Sequence, residues 1–271
     1  VIGSLIPGGA EKQLLYLCKF IDKEKFTPCV IAFREGKLLP DFNKENIKVY
    51  ILKKKFKFDF LVLFKLINIL KKEKPDILHT FMFTANTWGR CAGIVCNIPV
   101  KIASERSMDL WKREYHFLID KFLGKFTNKI ICVSEEVKNY YIRKTKLPEE
   151  KFIVIENGVN LEEIKKVEEK NEIREEFEIQ KDDFVILTGG RLCKEKAIDF
   201  FLCVVPELKK AIKNLKVLIV GEGEEKEKLL GLVRELKVWK TVVFTGYRKD
   251  ILKIIKISNL IVLTSRWEGM P

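Results

Sequence analysis

Phe184-Val-Ile-Leu-Thr-Gly-Gly-Arg-Leu-Cys-Lys-Glu-Lys196 opens as a run of strand formers, breaks at two glycines and delivers cations just ahead of a helix-length apolar segment from Ala197 to Lys213. A strand that hands over to a helix through a glycine turn is the repeating unit of a parallel α/β sheet. The unit recurs downstream. Lys216-Val-Leu-Ile-Val220, Thr241-Val-Val-Phe-Thr245 and Leu260-Ile-Val-Leu263 read as strands, separated by predicted helices from Glu224 to Leu236 and from Arg248 to Ile257. Upstream, Pro28 to Phe33, Lys48 to Ile51, Asp76 to His79, Val100 to Ala103, Lys129 to Val133 and Phe152 to Ile155 are strand candidates. The segments Ala10 to Ile21, Phe60 to Lys72, Thr84 to Cys96, Leu110 to Phe126 and Glu135 to Lys144 are predicted helices between them.

The rhythm breaks once, from Leu161 to Asp183, where ten acidic residues and few strand formers predict a helical linker. The expected organisation is therefore an N-terminal domain over 1–160, an acidic edge over 161–183 and a second α/β domain over 184–271. Only Val1-Ile2 stands where a first strand belongs, and the second domain has four strands where a doubly wound sheet usually has five or six. The chain reads as cut at both ends.

Composition narrows the function. The 271 residues include 51 Lys or Arg against 38 Asp or Glu, a net charge of +13. Residues 1–160 hold 29 basic and 18 acidic side chains, net +11, and the remainder is nearly balanced at +2. The surplus belongs to the first half. No run approaches the ~18 consecutive apolar residues of a membrane-spanning helix. Seven cysteines with no C-x-x-C read as reduced core residues, and two histidines, His79 and His116, are too few for a zinc site. With no secretory signal, a cytoplasmic location is expected. Nucleic-acid binding finds no supporting motif.

The candidate sites all lie where strands end, the crevice in which open α/β sheets bind ligands. Gly8-Gly9 before the first helix suits an anion, or is a plain loop. Gly190 and Arg191 with Lys196 offer a fork and a point charge for a diphosphate, although a lone surface Lys is more often solvated. Gly221-Glu222-Gly223 lacks the third glycine of a dinucleotide fingerprint, because Lys226 stands there, and G-x-x-x-x-G-K-[ST] is absent. Tyr247, followed by Arg248, either flanks a base or is a turn aromatic. Glu268 either accepts hydrogen bonds from sugar hydroxyls or is a surface carboxylate.

Taken together, Gly8-Gly9-Ala10-Glu11, Val133-Ser134-Glu135, Ile155-Glu156-Asn157-Gly158-Val159-Asn160, Gly190-Arg191-Leu192 with Lys196, Val220-Gly221-Glu222-Gly223, Phe244-Thr245-Gly246-Tyr247 and Glu268-Gly269-Met270-Pro271 resemble the retaining group 1 glycosyltransferases with the GT-B fold. The resemblance implies two Rossmann-like domains facing a cleft, the second incomplete here, with a nucleotide-sugar donor held mostly by the second domain and an acceptor by the first. By it, Arg191 and Lys196 grip the donor diphosphate, Glu268 is the first carboxylate of an E-x7-E element touching the sugar, and Gly8 and Gly9 cover the donor. Gly190, Gly221, Tyr247 and Arg248 join the donor site. Ala197 replaces the glycine that usually follows the lysine. Where many members carry an acceptor-pocket histidine, this sequence has Arg106; Arg106 and His79 are acceptor-side candidates, each equally readable as a loop or strand-end structural residue.

The function so implied is metal-independent transfer of a sugar from a nucleotide-diphosphate sugar to a lipid-linked or cell-surface glycan, with no cofactor beyond that co-substrate; no D-x-D run is present. Two basic-aromatic segments, Lys53 to Phe58 and the helix carrying Leu110, Trp111, Lys112, Arg113, Tyr115, Phe117, Leu118, Lys121, Phe122 and Lys125, are expected to meet anionic lipid at the inner face of the plasma membrane, or else are solvated charge beside core aromatics. A sugar-nucleotide epimerase on the same fold, and a donor-binding fragment without activity, are the alternatives.

Overall fold

The computed structural model describes residues 1–54, 59–167 and 171–270, and the chain divides into two compact units, Val1–Gly158 and Val159–Gly269. Both are parallel sheets flanked by helices.

In the first unit, β1 (Cys29–Ala32) pairs with β2 (Lys48–Ile51), while β3 (Ile77–Phe81), β4 (Val100–Glu105), β5 (Lys129–Cys132) and β6 (Phe152–Val154) pair in sequence order, all parallel. The two groups are joined by the start of the chain. Ile2 bridges to Ala32 on one side and Phe81 on the other. Its N–H donates to the Ile31 carbonyl at 2.9 Å, its carbonyl accepts from Phe33 at 3.1 Å, and Val1 accepts from Phe81 at 2.9 Å. Val1-Ile2 is therefore a two-residue central strand, and Ile2 is fully buried.

The helices α1 (Gly9–Phe20), α2 (Leu39–Lys44), α3 (Phe60–Glu73), α4 (Met82–Val95), α5 (Glu114–Lys125) and α6 (Glu135–Thr145) cover this sheet. Apolar residues at helical spacing decide which face turns inward: Val62, Leu66 and Leu70 of α3 pack with Leu78 and Ile98, and Val137 and Tyr141 of α6 pack with Ile130 and Cys132. Ser134 caps α6, its Oγ accepting from the Val137 N–H at 3.4 Å.

The second unit opens with α7 (Leu161–Lys165) and α8 (Asn171–Glu176), then alternates β7 (Phe184–Gly189), α9 (Ile198–Ala211), β8 (Leu215–Val220), α10 (Lys226–Glu235), β9 (Val242–Gly246), α11 (Ile251–Ile257) and β10 (Leu260–Ile261). Its parallel sheet runs in the order β10-β7-β8-β9. The strands alternate their burial between two cores. Ile186, Val217 and Ile219 face α9 and α10, while Val185, Leu187 and Leu218 face α11.

Several expected boundaries move for identifiable reasons. Pairing with Val1 carries β3 on through Phe81, and pairing with Phe81 and Cys132 carries β4 through Glu105. The helix expected from Leu110 begins only at Glu114, because Lys112 turns inward and is completely buried. Lys112 is thus unavailable to lipid, as is Phe117, which is buried in the core with Val137 and Tyr141, and this corrects the place of both in the basic-aromatic segment. Of the other such segment, residues 55–58 lie outside the described residues, as do Glu168, Glu169 and Pro271. All seven cysteines are unbridged, but Cys29 and Cys203 are exposed rather than core residues. No helix among the described residues is long and apolar enough to cross a membrane.

Candidate functional site

In the second unit the C-terminal ends of β7, β8 and β9 converge on glycine. Gly190 has φ +125°, Gly221 +130° and Gly246 +71°, backbone that side chains strongly disfavour. Steric closeness reinforces this: a Cβ on Gly221 would lie 1.8 Å from the Gly190 carbonyl oxygen. The strand ends are tied together, Gly190 donating to Val220 and Gly221 to Gly246, each at 2.8 Å. The result is a side-chain-free shelf at the sheet edge.

Lys196 stands over that shelf, its Cε 3.1 Å from where a Gly190 Cβ would be. It lies in a short 3-10 turn, Lys194–Lys196, followed by Ala197 in left-handed backbone at φ +47°. This is the position where the family's glycine is replaced, and Ala accepts a conformation costing roughly 1–2 kcal/mol. Lys196 Nζ pairs with Glu268 Oε1 at 2.7 Å, and the Ser265 hydroxyl donates to the same oxygen. Thr264 Oγ1 donates to the Ala197 carbonyl at 3.0 Å, and the Arg266 N–H donates to Glu195 at 2.8 Å. The 264–268 segment is thereby stitched to the lysine turn. Two candidates separated by 72 residues meet as a partly buried ion pair.

Arg191 is exposed beside Lys196's turn, with Glu195 and Glu224 as its opposing charges. Tyr247 is exposed at the end of β9. Arg248 does not face the shelf's ligand space unencumbered. Its guanidinium is engaged by Asp250 at 2.8 and 2.9 Å and by both oxygens of Glu176, and it stacks 5.3 Å from the Phe177 ring centroid. That geometry fastens α8 to the start of α11 and leaves little of the fork for a phosphate.

Of the acceptor-side candidates in the first unit, His79 lies in the middle of β3 rather than at its end, and Arg106 directly follows β4. His79 Nε2 is 2.8 Å from Ser104 Oγ, and its ring lies 4.3 Å from that of Phe81. Burial, with the Arg106 guanidinium adding to it, pushes the imidazole down to about 3. Half-buried Arg106 donates to Asn157 Oδ1. Gln13 then holds the next residue at both ends, donating to the Gly158 carbonyl at 2.7 Å and accepting its N–H at 3.1 Å. Gly8 caps α1 in extended backbone, and a Cβ there would be 2.5 Å from Glu11 Oε2. The buried Glu11 carboxylate folds back over the helix start, where it competes with any incoming anion; around Gly9 there is open space.

Sequence reasoning missed Gln13, Ser104 and the buried ionic group around Lys112. Asn157-Gly158 carried a turn signal, whereas nothing local distinguishes Gln13 from any other polar residue of a helix.

Comparison with known proteins gives these edges a context. Residues 7–163 match Glycosyltransferase Family 4, and residues 169–271 match Glycosyl transferases group 1. The chain is 27% identical over 97% of its length to an Escherichia coli UDP-Gal:alpha-D-GlcNAc-diphosphoundecaprenol alpha-1,3-galactosyltransferase, of which it covers 72%. It is 25% identical over its whole length to a Campylobacter jejuni alpha-1,4-N-acetyl-D-galactosaminyltransferase whose substrate name ends in PP-undecaprenol, covering 73% of it. In fold it is similar to Anabaena HepE, crystallised in complex with UDP and glucose, with a TM-score of 0.84 at 18% identity over 97% of this chain and 73% of that one. The chain belongs to the family 4 glycosyltransferases, with a group 1 glycosyl transferase segment following the family 4 segment, and its fold is GT-B.

Proposed function

We propose that this chain transfers a sugar, with retention at the anomeric carbon, from a nucleotide-diphosphate sugar to a lipid-linked or cell-surface glycan acceptor. The carrying observation is the Lys196–Glu268 pair over the glycine shelf of the second unit. The shelf lets a diphosphate approach backbone closely, Lys196 and the exposed Arg191 supply positive charge, and Glu268 both orients Lys196 and offers a carboxylate to sugar hydroxyls.

In this reading the bond between the anomeric carbon and the β-phosphate oxygen breaks with its electron pair on the nucleoside diphosphate. The acceptor hydroxyl oxygen bonds to that carbon from the same face, and its proton passes to the departing phosphate oxygen. Charge grows on the leaving group, so cations placed beside it stabilise the transition state more than the ground state. The acceptor class is suggested by relatives whose names specify diphosphoundecaprenol-linked substrates.

Membrane contact is part of the proposal. Along α5, Tyr115, Leu118 and Phe122 are 51%, 65% and 60% exposed at helical spacing, with Lys121 and Lys125 beside them. On α3, Phe60, Leu61 and Phe64 are similarly exposed, and α4 packs between the two helices. An apolar stripe flanked by lysines suits an anionic bilayer surface, where a lipid-linked acceptor resides. Contact of this kind places the protein peripherally on the inner face of the plasma membrane.

The test uses the complete protein, a panel of nucleotide sugars beginning with UDP-sugars, and an undecaprenyl-diphosphate-linked acceptor. Lys196→Ala is expected to lower kcat/KM by roughly 10²–10³, and Glu268→Ala to lower it comparably. Near-wild-type turnover in both variants would overturn the site assignment, and an inverted anomeric proton coupling in the product would overturn retention.

A further inference from the structure

Between β4 and α5, residues 106–113 form a loop that returns Lys112 beneath Glu105. The Lys112 ammonium is completely buried: it donates to the Tyr141 hydroxyl at 2.8 Å and to Asp120 Oδ2 at 3.0 Å, and pairs with Asp109 Oδ2 at 3.3 Å. The rings of Phe83 and Tyr141 lie over it, each 4.6 Å away. Tyr141 in turn donates to Asp109 Oδ2 at 3.1 Å and the Ser107 hydroxyl to its Oδ1 at 2.6 Å, so the loop's own carboxylate has three partners, with Lys112 and Tyr141 tying it inward.

Glu105 is the odd member. Its Oε1 accepts from Asn86 Nδ2 at 2.9 Å, but Oε2 lies 3.7 Å from Lys112 Nζ and, among the described residues, is a buried side-chain oxygen with no hydrogen bond. Arg90, from α4, pairs with Asp120 at 2.6 Å. The cluster thus holds two cations, Arg90 and Lys112, against three carboxylates, Glu105, Asp109 and Asp120. One negative charge is in excess around the buried Glu105 and Asp120, with Asp109 alone of the three carboxylates reaching solvent, an arrangement that burial penalises. A proton on Glu105 restores neutrality. Cys132, beside Glu105 on β5, adds no further negative charge, because burial and the Glu105 charge push its thiol up to about 12.

We propose that Glu105 and Lys112 form a protonation-gated latch on the 106–113 loop. With Glu105 neutral, Lys112 holds Asp109 and the loop is fastened, presenting Arg106 to Asn157 at its start and Leu110 and Trp111 outward at its tip. When Glu105 gives its proton to solvent, its Oε2 competes for Lys112 and for the Tyr141 hydroxyl, the two buried groups that tie Asp109 to the core, and the tip of the loop around Asp109 is released. The latch joins the acceptor-side Arg106 to the apolar tip through one buried group, and its relevance to transfer rests on the function proposed above. Burial, reinforced by Asp120 and Asp109 against Lys112, raises the Glu105 carboxyl to about 7, which puts the change near neutral pH.

Amide hydrogen exchange of the loop in the complete protein, normalised to intrinsic rates, tests this at pH 6 and pH 8. Over that interval the ionised fraction of a group with this pKa rises about tenfold, so wild-type loop protection should fall by about that factor while β4 and β5 stay protected. Glu105→Gln should hold the loop at its pH 6 protection throughout. Equal wild-type protection at both pH values, or the same fall in Glu105→Gln, overturns the latch. Lys112→Met should expose the loop at both pH values; should it fail to fold, the Glu105→Gln comparison decides alone. In transfer assays the acceptor KM, not the donor KM, should rise with pH in the wild type and stay flat in Glu105→Gln. Absence of transfer with any donor would count against the proposed function, while the exchange measurement would still decide the latch.

Discussion

His79 shows how burial converts a candidate acid or base into something else. A histidine held at about 3 in the folded chain is neutral near pH 7, so it can orient the Ser104 hydroxyl or a sugar hydroxyl but brings no charge. The linkage sign follows. Because the folded value lies below the unfolded value of 6.5, the unfolded chain takes up the proton first, and the stability tied to a neutral His79 is complete above that pH and lost as pH falls. Between pH 6.5 and 5 the loss should reach about 1–2 kcal/mol. His79→Gln should flatten that limb of the stability curve, and the ring proton shifts of His79 should stay constant from pH 8 to 5. A midpoint near 6 would refute the assignment.

At the scale of elements, the two-residue strand Val1-Ile2 carries more than its length suggests. It is the seam through which the β1-β2 pair and the β3-to-β6 group become one sheet, and Ile2 packs with Leu5, Val30 and Phe81. Truncating a fully buried Ile in such a place costs about 2–5 kcal/mol. Ile2→Ala should therefore lower the urea midpoint of the first unit by a corresponding amount, and a loss below about 0.5 kcal/mol would mean the seam is held elsewhere. The strand-helix alternation around it was legible, because β-branched runs and helical spacing are local properties. Helix α2 was not: Leu39–Lys44 is too short to display a period. The start of α5 was misread for another reason, since Leu110 to Arg113 has an amphipathic composition, yet Lys112 is drawn inward by Asp120 and Tyr141, which lie 8 and 29 residues away. The glycines that end β7, β8 and β9 were legible for the same reason that the alternation was visible. The pairing of Arg248 with Glu176 across 72 residues had no local trace.

For the whole molecule the informative quantity is where the charge lies. Residues 1–160 carry +11 of the +13, and this half presents the apolar faces of α3 and α5 with Lys65, Lys71, Lys72, Lys121 and Lys125 exposed on those helices. Each lysine near an anionic surface contributes about 1 kcal/mol, so two or three in reach should favour phosphatidylglycerol over neutral vesicles by roughly 30–150-fold. The electrostatic share must disappear as the Debye length contracts from about 10 Å at 0.1 M salt to 3 Å at 1 M. The apolar share must not, because salt does not weaken burial of Leu118 and Phe122 in the acyl boundary. Two measurements on the complete protein separate the contributions. Raising salt should remove the preference for anionic vesicles while leaving residual binding, and Leu118→Ser with Phe122→Ser should remove the residual binding while leaving the fold intact, both side chains being mostly exposed. Equal binding to neutral and anionic vesicles at low salt would detach the charge surplus from the membrane and leave it without a docking role.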